Sequence, residues 1–425
     1  MPKGFRGRVL EDDGTLTLLA APQSYTLVAK TGNQESVAAA LDGFIPATSG
    51  DKQVVSIALD ELTEKQYPGA FEQIMPSIYQ SVAYLSIDLI NDLAQVVDQR
   101  IGVMRLGARG LSVQGLGNVA VYNTDKAGAS KSVVDSKKDI IRQEADNKWG
   151  VWVVGNGVFA RNYNISDVPN ARFSSGGFVA GLDYNWNETW STGLFVGYQG
   201  GYASYPNDGS MNMNGTNFGG YLNWDSGSGF YSNAMVMGGY NSYRVHRPIE
   251  FGTIDRTANS RYGGGDVSTF LSLGYDFKIG RLAFGPVISG QYTYMGFTSF
   301  TENGADSLNL RVGGQSYNSM RMNVGGRIAY TWQVNDKVLL IPEVRMFWQH
   351  EFLQNPTDIN ASLNGGGGPG FTYRTSVAGR DSVFAGAGIN AQIGRHWMIG
   401  AYYNIDFASS TSIDNIVSAN LGYSF

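Results

Sequence analysis

Residues 395–425 read RHWMIGAYYNIDFASSTSIDNIVSANLGYSF and contain two segments in which apolar and polar side chains alternate. In the first segment one face is mostly apolar and the other mostly polar: Trp397, Ile399, Ala401, Tyr403, Ile405 and Phe407 oppose Gly400, Asn404 and Asp406. In the second, Val417, Ala419, Leu421, Tyr423 and Phe425 share one face. Because successive side chains of a strand point to opposite faces, each segment predicts a β-strand with one apolar surface.

The same alternation recurs upstream, in about twelve segments between Trp149 and Phe425 that turn residues separate. A soluble β-sandwich also alternates, so the connections decide the fold. Short connections at 185–189, 225–229, 279–280, 335–336 and 394–395 alternate with long ones at 164–173, 205–211, 246–262, 299–316 and 354–371. This rhythm is typical of outer-membrane barrels, whereas Greek-key crossings would interrupt it. We therefore predict an all-β transmembrane β-barrel of about 12 antiparallel strands, with both barrel ends of the chain on the periplasmic side.

The composition agrees with a barrel and excludes several classes of function. Charged residues make up 16% of the chain, against about 25% in ordinary soluble domains. The formal net charge is -5, which argues against a nucleic-acid partner. The chain has no cysteine, so disulfides and thiolate chemistry are excluded. The opening residues show no signal peptide, and an exported protein with this sequence would lack its true N-terminus here.

One long helix is predicted ahead of the barrel, at residues 77–106. Pro76 precedes its first turn, and apolar residues follow at steps of three and four: Ile78, Val82, Leu85, Leu89, Leu93 and Val96. A surface or coiled-coil helix is one interpretation. A pore of about 12 strands would also admit one helix, since barrels of about 8 strands are filled by side chains.

Extending the strand phase predicts seven charged residues on the inner face: Asp183, Asp276, Arg321, Arg327, Glu343, Arg345 and Asp406. They could pair with one another across the lumen, or some could contact the polar end of the helix. We expect Asp98, Arg100 and Arg105 at that end to plug the pore. The apolar stripe before them is expected outside the lumen, against the preceding short helices, because a barrel lumen is usually polar.

These features together resemble the C-terminal translocator unit of a type Va autotransporter. The similar segments are VVDQRIGVMRLG at 96–107, KWGVWVVGNGVFARNY at 148–163, PEVRMFWQHEF at 342–352 and SANLGYSF at 418–425. The resemblance implies an outer-membrane barrel that holds a helix and exports its own N-terminal passenger to the cell surface. It implies four regions: a passenger remnant at 1–60, a helical linker and pore plug at 61–106, a polar linker at 107–147 and the barrel at 148–425.

The resemblance also implies partners. Leu421, Tyr423 and Phe425 resemble the signal that the barrel-assembly machinery reads, and outer-membrane lipid and the chain's own passenger are further partners. We expect a monomer whose N-terminal part lies at the cell surface and whose C-terminus is periplasmic.

One feature departs from the family pattern. Some autotransporters release the passenger at an Asn-Asn pair inside the pore, and Gln95-Val96 occupies the matching position here. Asn91-Asp92 is nearby and is interpreted as ordinary helix surface. We therefore expect an uncleaved or externally processed passenger, which a released product with a new N-terminus between residues 91 and 98 would contradict.

Other functions find little support in the sequence. The three histidines, His246, His350 and His396, have no catalytic partner at a recognisable spacing, and no GxSxG or HExxH motif occurs. We expect no enzyme activity, no metal site and no cofactor. A porin-like or surface-binding outer-membrane barrel with functional outer loops is the alternative, and it leaves the helix before the first strand unexplained.

Overall fold

The computed structural model describes residues 4–12, 15–104, 148–162, 165–335, 337–353, 355–394, 396–408 and 411–425. The N-terminal part contains a β-hairpin and four helices. These elements are β1 (Phe5–Asp12), β2 (Thr15–Pro22), α1 (Gly32–Asp42), α2 (Gly50–Asp60), α3 (Tyr67–Ile74) and α4 (Ser77–Val103). No helix among the described residues is both long and apolar enough to span a membrane.

Strands make up the rest of the described chain. In order they are β3 (Trp149–Asn162), β4 (Ala171–Asn185), β5 (Trp190–Ser204), β6 (Ser210–Asp225), β7 (Phe230–Phe251), β8 (Ile254–Tyr275), β9 (Phe277–Ile279), β10 (Leu282–Phe297), β11 (Phe300–Thr301), β12 (Arg311–Val312), β13 (Gln315–Tyr330), β14 (Trp332–Asn335), β15 (Val338–Glu351), β16 (Asp358–Ser362), β17 (Gly370–Arg374), β18 (Asp381–Ile393), β19 (Trp397–Ala408) and β20 (Ser412–Ser424).

Twelve of these strands close into an antiparallel barrel, which confirms the predicted fold class. Its strands are β3 to β8, β10, β13, β15 and β18 to β20, and β20 pairs with β3 to close the circle. Backbone hydrogen bonds join Phe425 to Trp149 in both directions, so the seam continues to the last residue. The short strands β11, β12, β16 and β17 form a separate four-stranded sheet within the long connections.

The two ends of the barrel differ as the connections predict. At the short-turn end, which carries Phe425, Gly280 and Gly394 adopt positive φ angles in tight turns, a conformation that glycine adopts without a steric penalty. The opposite end, here called the long-loop end, carries the longer connections. The predicted loop at 246–262 is wrong: these residues extend β7 and β8 as far as a turn at 252–253. The strands continue because their inward side chains Val245, Ile249 and Ala258 are fully buried, and β7 packs on α3.

The outer surface of the barrel is apolar. Leu194 is 71% exposed and Phe218 is 66% exposed, which suits contact with lipid and would be unusual beside water. Of six aromatic residues beside the short turns, Trp224 is half-buried and the others are exposed: Trp186, Trp190, Phe230, Trp332 and Trp397. Such residues typically lie at a membrane interface.

Helices α1, α2 and α3, together called the cap, lie against the long-loop end. The side chain of Thr31 accepts a hydrogen bond from the backbone of Gln34 and begins α1. Helix α1 packs on β17 and α3 packs on β7. The cap therefore covers the loops through which α4 enters the barrel.

Candidate functional site

Helix α4 fills the lumen of the barrel. Near its N-terminus the Tyr79 hydroxyl donates to Glu302 Oε1 at 2.5 Å, in a long connection. Near its C-terminus Arg100 reaches Asp183, close to the last residue of β4 at the short-turn end. Nearly all of its side chains are buried, which a surface helix would not show. The helix therefore runs along the lumen from one end to the other.

The apolar stripe of α4 lies inside the barrel, so the expectation that it packs outside the lumen is wrong. The lumen has an apolar side made of Met211, Met213, Met235, Met237 and Phe270, all at least 95% buried. Ile78, Leu85, Leu93 and Val96 of the helix belong to the same continuous core. Removing this surface from water stabilises the inserted helix, and unbranched methionine side chains fill irregular gaps well.

Arg100 holds the helix at the short-turn end. Its Nη2 lies 2.5 Å from Asp183 Oδ2, and both side chains are buried. The Trp152 indole donates to Asp183 Oδ1 at 2.9 Å, and the Tyr221 hydroxyl donates to the same oxygen. Arg100, Trp152, Asp183 and Tyr221 form the short-turn cluster, in which the buried carboxylate is both charge-paired and hydrogen-bonded.

Glycine makes room for this cluster in the wall. A Cβ at Gly150 would lie 3.1 Å from Asp183 Oδ2, and one at Gly422 would lie 3.4 Å from Arg100 Nη1. Both glycines are on the seam strands β3 and β20. The guanidinium therefore lies close to the backbone at the point where the barrel closes.

Two further residues near the end of the helix contact the wall. Asn233 donates to Asp98 Oδ1 at 2.7 Å. Arg345 donates to Gln99 Oε1 at 3.3 Å and to Asn404 at 3.0 Å. Arg105, which the sequence also assigns to the plug, lies outside the described residues.

Other predicted inward charges pair within the wall. Arg327 contacts Asp276 at 2.5 Å and Glu343 at 3.4 Å, and all three belong to neighbouring segments of the barrel. Both interpretations offered by the sequence therefore apply: Asp183 and Arg345 contact the helix, whereas Asp276, Arg327 and Glu343 contact one another.

An acidic cluster surrounds Arg321 in the long-loop half of the lumen. Arg321 contacts Asp88 of the helix at 3.1 Å and Asp406 at 3.6 Å. Three more carboxylates interact with this group, namely Asp92, Glu351 and Asp414. A cavity of about 290 Å³ adjoins it. Five carboxyl groups therefore surround one guanidinium group, and among the described residues Asp92 Oδ2 and Asp414 Oδ1 have no hydrogen-bond partner.

Of the five carboxyl groups in this cluster, only Asp406 is among the inward charges predicted from the sequence. Asp88 and Asp92 are four residues apart on α4, a spacing that places them on one face of the helix. Asp414 follows the inward phase of β20, beside Asp406. These two patterns in the sequence could have identified Asp88, Asp92 and Asp414 as acids that face the lumen.

The interpretation of Asn91-Asp92 as ordinary helix surface is wrong. Asn91 is 1% exposed, and neither atom of its side-chain amide has a hydrogen-bond partner among the described residues. The reason is that the lumen encloses the polar face of α4 as well as its apolar stripe.

Arginines near the long-loop ends of β7 and β8 contact the cap and a long connection around the entry of α4. Arg256 contacts Asp51 of α2 at 2.6 Å. Burial would raise the pKa of the Asp51 carboxyl, but hydrogen bonds from Arg256 and Ser307 outweigh it and hold the pKa below its usual value. Arg247 contacts Glu302 at 2.6 Å and also donates to the Gln73 carbonyl of α3. These contacts were not foreseen, because the sequence analysis assigned these barrel residues to loops.

The three residues of the predicted assembly signal lie on the outer face of the last strand or at its end. Leu421 and Phe425 are exposed, and the Trp397 and Tyr423 rings meet at 4.8 Å. Their recognition by the assembly machinery stays a prediction.

Comparisons with known proteins agree with this architecture. The family model of the autotransporter beta-domain matches residues 151–404. Uncharacterised proteins named YaiT from Escherichia coli strain K12 and Salmonella typhimurium strain LT2 are each 24% identical over 72% of this chain. The chain spans 29% of the length of these relatives.

Two solved structures share the fold. The translocator domain of the autotransporter NalP from Neisseria meningitidis matches with a TM-score of 0.52 and 12% identity, over 69% of this chain and 96% of that chain. The beta domain of the Bordetella autotransporter BrkA matches with a TM-score of 0.50 and 18% identity, over 65% of this chain and 100% of that chain. The chain belongs to the autotransporter beta-domain family, and its barrel is an outer-membrane translocator unit of type V secretion.

Proposed function

We propose that this translocator exports its own N-terminal passenger and then anchors it at the cell surface, with α4 left in the pore. The observation that carries the proposal is the path of α4, whose ends contact Glu302 at the long-loop end and Asp183 at the short-turn end. The chain before α4 therefore leaves the lumen at the long-loop end. In this orientation the long-loop end is extracellular, and Phe425 is periplasmic.

We infer that residues 1–60 are the end of the passenger. The segment TLVAKTGNQESVAAALD at 26–42 resembles the last part of a β-helical passenger. The β1–β2 hairpin also has exposed apolar side chains, such as Leu16 at 71% and Leu18 at 66%. An exposed apolar sheet suits further passenger structure stacked on it.

Conductance in planar bilayers tests the plug. We expect the full chain to be nearly closed and a chain lacking residues 1–106 to conduct, because α4 occupies the lumen. The matched control lacks residues 1–76, so it loses the cap and keeps α4, and it should stay nearly closed. Equal conductance of all three proteins would support the porin-like alternative and contradict the proposal.

One observation favours the porin-like or surface-binding alternative, namely that the long connections form their own four-stranded sheet. A filled lumen counts against diffusion of solutes through it. We also propose that the barrel has no enzyme activity. Its histidines contact separate partners: His246 meets Asn259, His350 meets Asp381 and His396 meets the Ser424 carbonyl.

We propose further that the barrel-assembly machinery recognises the C-terminal residue and that the protein is a monomer. Deleting Phe425 should lower the amount of folded barrel in the outer membrane, measured by heat-modifiable migration in gel electrophoresis. The matched control is Phe407→Ala, which removes an equally lipid-facing ring from β19. Normal levels after the deletion, or an equal loss in the control, would count against recognition.

A further inference from the structure

Two pairs of arginines lie directly opposite each other on the outer face of the barrel. Arg161 of β3 faces Arg172 of β4, and Arg244 of β7 faces Arg261 of β8. All four side chains are exposed. Like charges at directly opposed positions repel and destabilise a strand pair. A bound anion would therefore stabilise each arrangement.

The surroundings supply no such anion. The register places two neighbouring rows of outward positions across β3 to β8. The first row is Arg161, Arg172, Ser204, Ser210, His246 and Asn259, and the second is Phe159, Ser174, Tyr202, Asn212, Arg244 and Arg261. Neither row contains a carboxylate. Within the described residues, no ion pair or hydrogen bond of the four guanidinium groups is found.

The depth of the arginines matches the headgroups of a membrane. A parallel row closer to the short-turn end carries the exposed rings of Phe178, Tyr198 and Tyr240. Such rings mark the edge of the hydrocarbon region. Arg244 lies four positions beyond Tyr240 on the same strand, which is about 13 Å along the strand and about 10 Å along the membrane normal at the usual strand tilt. The guanidinium groups are therefore beyond the hydrocarbon, where lipid phosphates lie.

We propose that each arginine pair binds the phosphate of an anionic lipid headgroup, in the leaflet at the long-loop end of the barrel. The planar guanidinium group presents two parallel N–H donors that match phosphate oxygens, and two such groups converge on one anion. The anion removes the repulsion within each pair. Both sites lie on the β3–β8 side of the barrel, whereas the opposite side carries the exposed Asp381 beside His350.

Native mass spectrometry of the full chain tests this proposal. The protein is released from nanodiscs of phosphatidylcholine mixed with phosphatidylglycerol, and the retained lipids are counted. We expect the native protein to retain phosphatidylglycerol selectively, one molecule for each arginine pair. The double variant Arg161→Gln with Arg172→Gln should retain one phosphatidylglycerol molecule fewer, and so should Arg244→Gln with Arg261→Gln. The variant with all four changes should retain neither of the two molecules. Retention should fall by about fivefold for each arginine removed at low salt.

The controls separate binding from folding and from general charge. Arg374→Gln removes an exposed arginine that is already paired with Asp358 at 3.0 Å and should leave retention unchanged. Replacing all four arginines with lysine keeps the positive charge but removes the paired N–H donors of the guanidinium groups. Lipid retention should then lie between that of the native protein and that of the fourfold glutamine variant. Heat-modifiable migration verifies that each variant is a folded barrel. Native retention in a folded fourfold glutamine variant, or an equal loss in Arg374→Gln, would overturn the proposal.

Discussion

The two halves of the lumen hold α4 in different ways. At the short-turn end one guanidinium meets one carboxylate, and Trp152 and Tyr221 satisfy the rest of Asp183. In the long-loop half, Arg321 is surrounded by the five carboxylates of the acidic cluster. The first arrangement pairs one cation with one carboxyl group and is specific in direction, whereas the second places five carboxyl groups around one cation. The comparison indicates that the short-turn cluster fixes the depth of the helix, and that the long-loop half tolerates adjustment.

The largest effect is expected from Arg100→Met. Removing one partner of a buried ion pair leaves an uncompensated charge and costs about 3–5 kcal/mol. If that cost falls on the inserted state of α4, the open probability in planar bilayers should rise by at least about a hundredfold.

The matched control for Arg100→Met adds Asp183→Leu, which removes the stranded carboxylate as well. The double variant should open less often than Arg100→Met alone. An unchanged open probability in Arg100→Met would show that the short-turn cluster does not set the depth of the helix.

A smaller effect of opposite sign is expected from Asp92→Asn. Burial beside Asp88 and Asp406 disfavours the charged form of Asp92, whereas asparagine is neutral and has nearly the same shape, so the change should stabilise the inserted helix by about 1 kcal/mol. Thermal unfolding of the solubilised barrel measures it. Arg321→Gln is the counterpart, since it removes the cation and should destabilise the same state. Destabilisation by both variants would mean that the cluster is balanced after all.

The smallest effect concerns the cap and depends on pH. The docked state holds the pKa of Asp51 below its usual 3.8, so docking releases a proton at low pH. The contribution of Asp51 is fully present above the usual pKa and is lost as the pH falls through the lower, docked value. Hydrogen exchange of α2, corrected for intrinsic rates, should therefore increase in that acid range. In Asp51→Asn this pH dependence should disappear, and its persistence would assign the effect to another group.

Much of this architecture could be predicted from sequence, because the strand period of two carries both the fold and the inner face. The phase that places Trp397 outside also places Asp406 inside, and loop lengths separate a barrel from a sandwich. The partners of each charge could not be predicted in this way. That Arg100 meets Asp183 and Asp88 meets Arg321 depends on the depth and rotation of α4, which no strand pattern encodes.

The apolar side of the lumen was predictable and was overlooked. Met211 and Met213 alternate with Asn212 and Asn214, and Met235 and Met237 flank the outward-facing Val236. The inward phase is therefore apolar on these two strands. The expectation of a polar lumen, which holds for barrels in general, therefore does not apply to β6 and β7. The contacts that Arg247 and Arg256 make with the cap could not be predicted for another reason. Their strands, β7 and β8, extend beyond the barrel to meet the cap.

The methionines on the apolar side of the lumen, Met211, Met213, Met235 and Met237, have a chemical consequence. A thioether can be oxidised to a sulfoxide, which is polar and chiral, and an unfolded chain outside the cytoplasm exposes all four sulfur atoms to oxidants. Once α4 is inserted, Met211, Met213, Met235 and Met237 are at most 3% exposed and are shielded. Oxidation before insertion would place sulfoxides against the aliphatic stripe of the helix. Oxidation of these methionines before folding would therefore weaken the packing of α4 that closes the pore.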